Sequence, residues 1–230
     1  MKSLGRDAAQ DLLLLSLTAG SADAIGYLGL GKVFTSNMTG NIVLLGIDLG
    51  QGHFDSAGRV LYVLVIFMLG LCLGAWLGKD LPEKQWPALA FRLIGLEKIA
   101  LLIFGIAWFF MANKEGGLFF YGFLALLALA MGLQSAAMYR LSAPGVATTA
   151  ITGTIAAFAL GITNLLFQKA MEASQREASL QRIRFQLAVI FLYTFGATLG
   201  GFLILHAPYL AGFLPAFACA FVVLGRLKAF

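Results

Sequence analysis

Apolar residues run through this chain in long blocks that lack the polar–apolar alternation of a lipid-facing barrel strand, so an α-helical bundle is predicted. Six blocks have about the ~20-residue length that crosses a bilayer as helix: Leu12–Leu30, Val60–Leu77, Leu93–Ala112, Leu118–Met138, Phe185–Leu205 and Tyr209–Leu224. Two others are weaker. Phe34–Leu49 is short and carries Thr35, Ser36, Asn37, Thr39, Asn41 and Asp48, and Val146–Phe167 is threaded with threonines. Whether these two cross decides the architecture.

Lys and Arg concentrate in short cytoplasmic loops, which allows the two arrangements to be compared. With eight crossings and a cytoplasmic N-terminus, ten cations fall inside and five outside. With six, Lys79, Lys84, Arg92 and Arg140 move in while Arg59 and Lys114 move out, giving twelve against three, with Lys98 left uncounted within a span. The six-span arrangement is favoured, with both termini cytoplasmic; eight spans in parallel halves is the alternative.

The pattern also repeats. Met38-Thr39-Gly40-Asn41 returns loosely as Ile151-Thr152-Gly153-Thr154, with Thr39 and Thr152 in corresponding places. The helix after each motif carries a small-residue spacing, Gly70-x-x-x-Gly74 with Gly78 beyond it, and Gly196-x-x-x-Gly200, as close-packing helix faces do. Each half, about 11–112 and 117–226, then reads as helix, polar motif, helix, helix within a single membrane domain, 1–230. Three crossings per half would turn the second copy upside down relative to the first, with the motif segments entering from opposite faces, as in inverted-repeat transporters. Residues 168–184 form a hydrophilic connector of mixed charge, lacking Pro and Gly, predicted as a short cytoplasmic helix.

Composition agrees: 60% hydrophobic and 12% charged residues, with a mean hydropathy of +0.88, leave too few polar groups to clothe a water-soluble globule. Lys2 and Arg6 precede an apolar stretch, as in a signal peptide, but Asp7 and Asp11 interrupt it and it continues for a full span, so it reads as a retained first helix. Cys72 and Cys219 are far apart in apolar runs, giving neither a disulfide framework nor a metal cluster. The net charge of +5 is carried mostly at span ends, where topology accounts for it, so no nucleic-acid partner is implied.

Ser16, Gly20, Asp23 and Tyr27 share one face of the first helix. Asp23 lies well inside the span, where a carboxylate is costly unless protonated, paired or facing water, which makes it a candidate for function; the structural reading is a packing hydrogen bond to a neighbouring helix. Asn37, Asn41 and Asp48 would share a side of a helix starting near Ser36, and Gly40 would allow a close approach or an unwound step. Freed carbonyls there could hold a cation or a polar solute, or Ser36 or Asn37 could simply cap a short helix. The second copy supplies Gln134, near the position of Asp23, then Thr148, Thr149, Thr152, Gly153 and Thr154, all uncharged; packing explains Thr148 and Thr149 as well as ligand contact does. Arg92 and Lys98 read as snorkelling anchors with Glu97 pairing one of them. His53 and His206 lack metal-ligand spacing, and no nucleophile elbow or phosphate loop occurs, so neither a metal, a cofactor nor an enzyme activity is expected.

The stretches Ala19-Gly20-Ser21-Ala22-Asp23-Ala24, Phe34 to Asn41 and Thr148 to Thr154 resemble the YoaK-type bacterial membrane proteins, a domain-of-unknown-function family, and the resemblance covers nearly the whole chain. It implies a multi-pass protein of the bacterial inner membrane and brings no substrate and no catalytic residue. The reading that follows is a small-solute permease, proton- or cation-coupled through Asp23 with Asp48 as second choice, in which a homodimer would enlarge the limited cavity. A passive channel and a non-transporting scaffold or accessory subunit are the alternatives.

Overall fold

The computed structural model describes residues 6–80, 88, 90–111, 117–141, 148–149, 151–167 and 172–227. The chain between the proposed halves at 112–116, the start of the second motif segment at 146–147 and the start of the connector at 168–171 lie outside the described residues. All regular structure among the described residues is helical: α1 (Arg6–Gly29), α2 (Met38–Gly50), α3 (Phe54–Leu77), a π-helical turn (Ala90–Ile94) leading into α4 (Gly95–Met111), α5 (Gly117–Leu141), α6 (Ile151–Phe167), α7 (Ala173–His206), α8 (Pro208–Ala211) and α9 (Phe213–Leu227). Five of these units, α1, α3, the π turn with α4, α5 and α7, are each long and apolar enough to cross a membrane. Laid end to end as continuous helix, α8 and α9 would reach ~30 Å, the depth of a hydrocarbon core.

Contacts along the helices fix their directions. In α3 and α5, Tyr62 meets Tyr121, Gly70 meets Leu129, Gly74 meets Ala136 and Gly78 meets Arg140, so the two run parallel. In α1 and α7, Gly196 meets Leu17, Gly200 meets Ser21 and Gly201 meets Leu28, again a parallel pair. Helices α4 and α9 are antiparallel: Ile94 faces Cys219, Gly105 faces Gly212, and Trp108 Nε1 donates to the Pro208 carbonyl at 2.7 Å. The start of α5 meets the end of α4 through Phe123 and Trp108, ring centroids 5.4 Å apart.

Gly31, just past the end of α1, lies against Arg59 in the first turns of α3. The intervening insert therefore begins and ends at one end of the bundle, which means that α2 does not cross. By the same directions, α5 ends and α7 begins at the opposite end, so the insert containing α6 returns to the side from which it enters. Six traverses and two re-entrant inserts result, with the two halves inverted.

The inversion is visible contact by contact. Gly20 in the first helix of the first half abuts the carbonyl of Tyr193, and Gly132 in the first helix of the second half abuts that of Phe67. Gly196 abuts the Leu17 carbonyl as Gly70 abuts that of Leu129, the same exchange read from the other side. The first long helix of each half thus packs on the helix that follows the re-entrant motif of the other half. Glycine is required at these crossings because a Cβ would occupy the neighbouring backbone.

Burial follows from the interlock. The apolar windows of α1 and α5 are each 61% buried, while those of α3 and α7 are 22% and 17% buried and present Leu61, Met68, Leu69, Trp76, Leu187, Phe191 and Phe202 outward. A bundle whose outer helices are apolar and whose centre holds the polar side chains is the arrangement a hydrocarbon solvent demands. The connector is not a separate helix: residues 173–184 form the first turns of the 34-residue α7. No Pro or Gly occurs from Ala173 to Phe195 to interrupt it.

Candidate functional site

The end of α1 sets up the first polar cluster. After Gly29 the chain reverses through Gly31 (φ 80°) and Lys32 (φ 60°), two successive left-handed residues. Residues 33–36 then run back along α1 without regular structure, close enough that the Val33 carbonyl would lie 2.8 Å from a Cβ on Gly26. The reversal carries this segment inward to Asp23, about six residues or ~9 Å from the end of α1.

There its backbone N–H groups, lacking any strand or helix partner, meet the carboxylate. Asp23 Oδ1 accepts from the N–H of Thr35 at 2.7 Å and of Ser36 at 2.6 Å, and Oδ2 accepts from Ser36 Oγ at 2.7 Å and from Tyr193 Oη at 2.5 Å. One buried acid thereby ties the re-entrant segment to α1 and α7 together. Asn41 completes the fold of the segment: its Oδ1 accepts from the Phe34 N–H at 2.9 Å and its Nδ2 donates to the Phe34 carbonyl at 2.6 Å, imitating a strand pairing. Asn37 is the N-cap of α2, accepting from the Gly40 N–H at 3.2 Å. Tyr27, exposed at the rim, stacks on Phe34 with centroids 5.1 Å apart.

The second cluster is the neutral counterpart. Ser135, which holds in α5 the place that Asp23 holds in α1, makes a 2.9 Å hydroxyl–hydroxyl hydrogen bond with Thr149, the counterpart of Ser36. Beside it, Gln134 Nε2 donates to Thr148 Oγ1 at 2.7 Å and to the Leu15 carbonyl of α1 at 3.1 Å, while its buried Oε1 has no hydrogen-bond partner among the described residues. Each re-entrant segment is thus held by a short polar cluster on the first helix of its own half. Ser135 also bonds its own preceding turn, at the Met131 carbonyl, as Thr163 does at the Ala159 carbonyl.

The sequence candidates separate accordingly. Asp23, Asn37, Gly40 and Asn41 are gathered around one segment; Gln134 lies in the other cluster with Ser135, Thr148 and Thr149. Asp48 does not join Asn37 and Asn41: it stands at the far end of α2, 4.0 Å from His53. Asn41 and Asp48, seven residues apart within α2, do fall on one side of it, but Asn37 lies outside the helix as its cap and the Asn41 side chain is folded back on Phe34, so the three form no common cluster. Thr39, Thr152 and Gly153 are exposed at the starts of α2 and α6, and Thr154 is buried. Gly70, Gly74, Gly78, Gly196 and Gly200 all serve helix contacts within the chain. Thr35, Tyr193 and Ser135 are the partners that sequence reasoning missed; only Ser135, adjacent to Gln134 in the repeat, left a readable signal. The expected pairing of Glu97 with Arg92 or Lys98 is absent: Glu97 is fully buried with no hydrogen-bond partner among the described residues, while Arg92 donates to the Leu77 carbonyl. Among the described residues no group of three acidic, His or Cys side chains could hold a metal ion.

Comparison with known proteins matches residues 12–225 to the family described as "Protein of unknown function (DUF1275)". The chain belongs to this DUF1275 family. It is 34% identical over 186 residues to the UPF0700 transmembrane protein YoaK of Bacillus subtilis (strain 168), covering 81% of this chain and 79% of that protein. No solved structure matches it significantly. As a DUF1275 member with apolar traversing helices, it is a multi-pass transmembrane protein of an uncharacterised family.

Proposed function

We propose that this protein is a small-solute permease of the bacterial cytoplasmic membrane, with both termini on the cytoplasmic side. The observation that carries the reading is the pair of re-entrant segments entering inverted halves from opposite ends, each pinned to a central helix by side chains. Inverted halves of this kind supply two related conformations of one structure, open to either side, and irregular backbone at membrane depth is stable only where it is buried or lines a cavity.

In this reading Gln134, whose Oε1 lacks a donor, is the solute-facing group, and a polar solute bearing an N–H or O–H would satisfy it. Asp23 is the latch: as a carboxylate it accepts from every donor around it, and on taking up a proton it gives up at least one of them and loosens the 33–36 segment from α7. Asn37, Gly40 and Asn41 keep that segment's shape, and Thr39, Thr152, Gly153 and Thr154 set the starts of the two re-entrant helices. No covalent chemistry and no cofactor are required.

The reading is tested in proteoliposomes loaded with a pH-sensitive dye and challenged with a panel of neutral sugars, amides and amino acids. Saturable uptake of one class with a proton movement, lost in Asp23→Asn and weakened in Gln134→Leu, is the expected result. Uptake of none of them, or uptake that does not saturate, would remove the permease reading and favour a scaffold or a channel respectively.

A further inference from the structure

Glu97 takes no part in either polar cluster, yet it is the least expected side chain in the molecule. It lies in the first turn of α4, immediately after the π-helical turn at Ala90–Ile94, and it is 0% exposed with neither carboxyl oxygen hydrogen-bonded. The stretch that carries it also supplies Leu93, Ile94, Leu101 and Phe104 to the apolar core, and the antiparallel α9 packed on that stretch supplies Ala216, Cys219 and Val222. Asp23, by contrast, has a donor for every demand its charge makes.

We propose that Glu97 is a proton-binding site, held as the neutral acid and able to exchange its proton with the aqueous end of α4 through the π turn. An isolated carboxylate in this setting has neither water nor a donor to replace its hydration, so a proton is the ligand that lets it stay there. A metal cation fits less well, because hard cations need several oxygen ligands and, among the described residues, no group of three acidic, His or Cys side chains could hold one. The π turn supplies the route: π turns leave backbone groups displaced from the regular ladder, and the Ile94 carbonyl already takes a non-helical partner, the Cys219 thiol at 3.7 Å.

The ionisable groups around it are few. On its own stretch stand Arg92, which is exposed and donates to the Leu77 carbonyl, and Lys98, which is half-buried. From α9 Cys219 faces it and Arg226 lies further along; α5 brings Tyr139 and Arg140 only at its end, and the neighbouring α1 brings Asp11 near its start. Neither oxygen of the Glu97 carboxyl has a hydrogen-bond partner among the described residues. Proton binding is measured without any solute, so its failure and the failure of the permease reading are told apart.

The test uses dicyclohexylcarbodiimide, an apolar reagent that adds to a protonated carboxyl in a hydrophobic setting and rearranges to a stable N-acylurea with no leaving group. The purified full chain in lipid nanodiscs is treated over a range of pH, and the adduct is located by peptide mass mapping. The expected result is modification at Glu97 that declines as pH rises. It should disappear in Glu97→Gln and persist, with its pH dependence, in Asp23→Asn. No adduct at Glu97 at any pH, or an adduct yield that does not change with pH, would overturn the proposal, and the wild-type chain alone suffices to read either outcome.

Discussion

At the scale of single residues, the chain places the buried and well-satisfied Asp23 where a loop must be fastened. Hydrogen bonds to a charged group contribute about 1.5–3 kcal/mol each, so Tyr193→Phe and Ser36→Ala should each lower stability by about that amount. Thermal unfolding in detergent would register it, and the double variant should fall short of the sum because both donors share Asp23. Asn41→Ala should cost about 1–3 kcal/mol by leaving the Phe34 backbone groups without partners, and should also raise protease cleavage within 33–36. Asp23 was legible in the sequence because membrane charge is expensive. Its partners were not: Tyr193 stands far along the chain in a largely apolar run that gives no sign of which residue meets Asp23, and Thr35 and Ser36 contribute chiefly backbone N–H groups, which every residue type except proline carries.

At the scale of elements, the interlock of α1 with α7 and of α3 with α5 rests on glycines that allow backbone to meet backbone. Gly132→Ala and Gly196→Ala should each destabilise the fold by about 1–3 kcal/mol, the cost of overpacking a close-packed interface. Gly46→Ala and Gly122→Ala, in helix positions with nothing within 4 Å, should be neutral or stabilising by up to ~1 kcal/mol; the contrast is read as melting temperature across the four variants. Helix existence and the small-residue faces could be read directly, since both follow from local composition. The pairing could not. The stretch separating Gly70 from Gly196 is longer than the one separating Gly20 from Gly132, because the second half carries the longer hydrophilic segment before the apolar part of α7, so a search at one fixed period finds only fragments of the repeat.

At the scale of the whole molecule, the central claim is that two inverted halves each carry one re-entrant segment, which gives six traverses rather than eight. Loop charge pointed that way, and the contacts Gly31 to Arg59 and Gly78 to Arg140 supply the geometric reason. The most direct measurement is two-sided labelling with a membrane-impermeant maleimide, using single cysteines at Gln51, Lys79, Gln175 and Tyr209 in a chain lacking Cys72 and Cys219. Six traverses predict that Gln51 and Tyr209 label from one side and Lys79 and Gln175 from the other. Gln51 labelling with Gln175, and Lys79 with Tyr209, would mean that α2 crosses the membrane and that the halves are parallel.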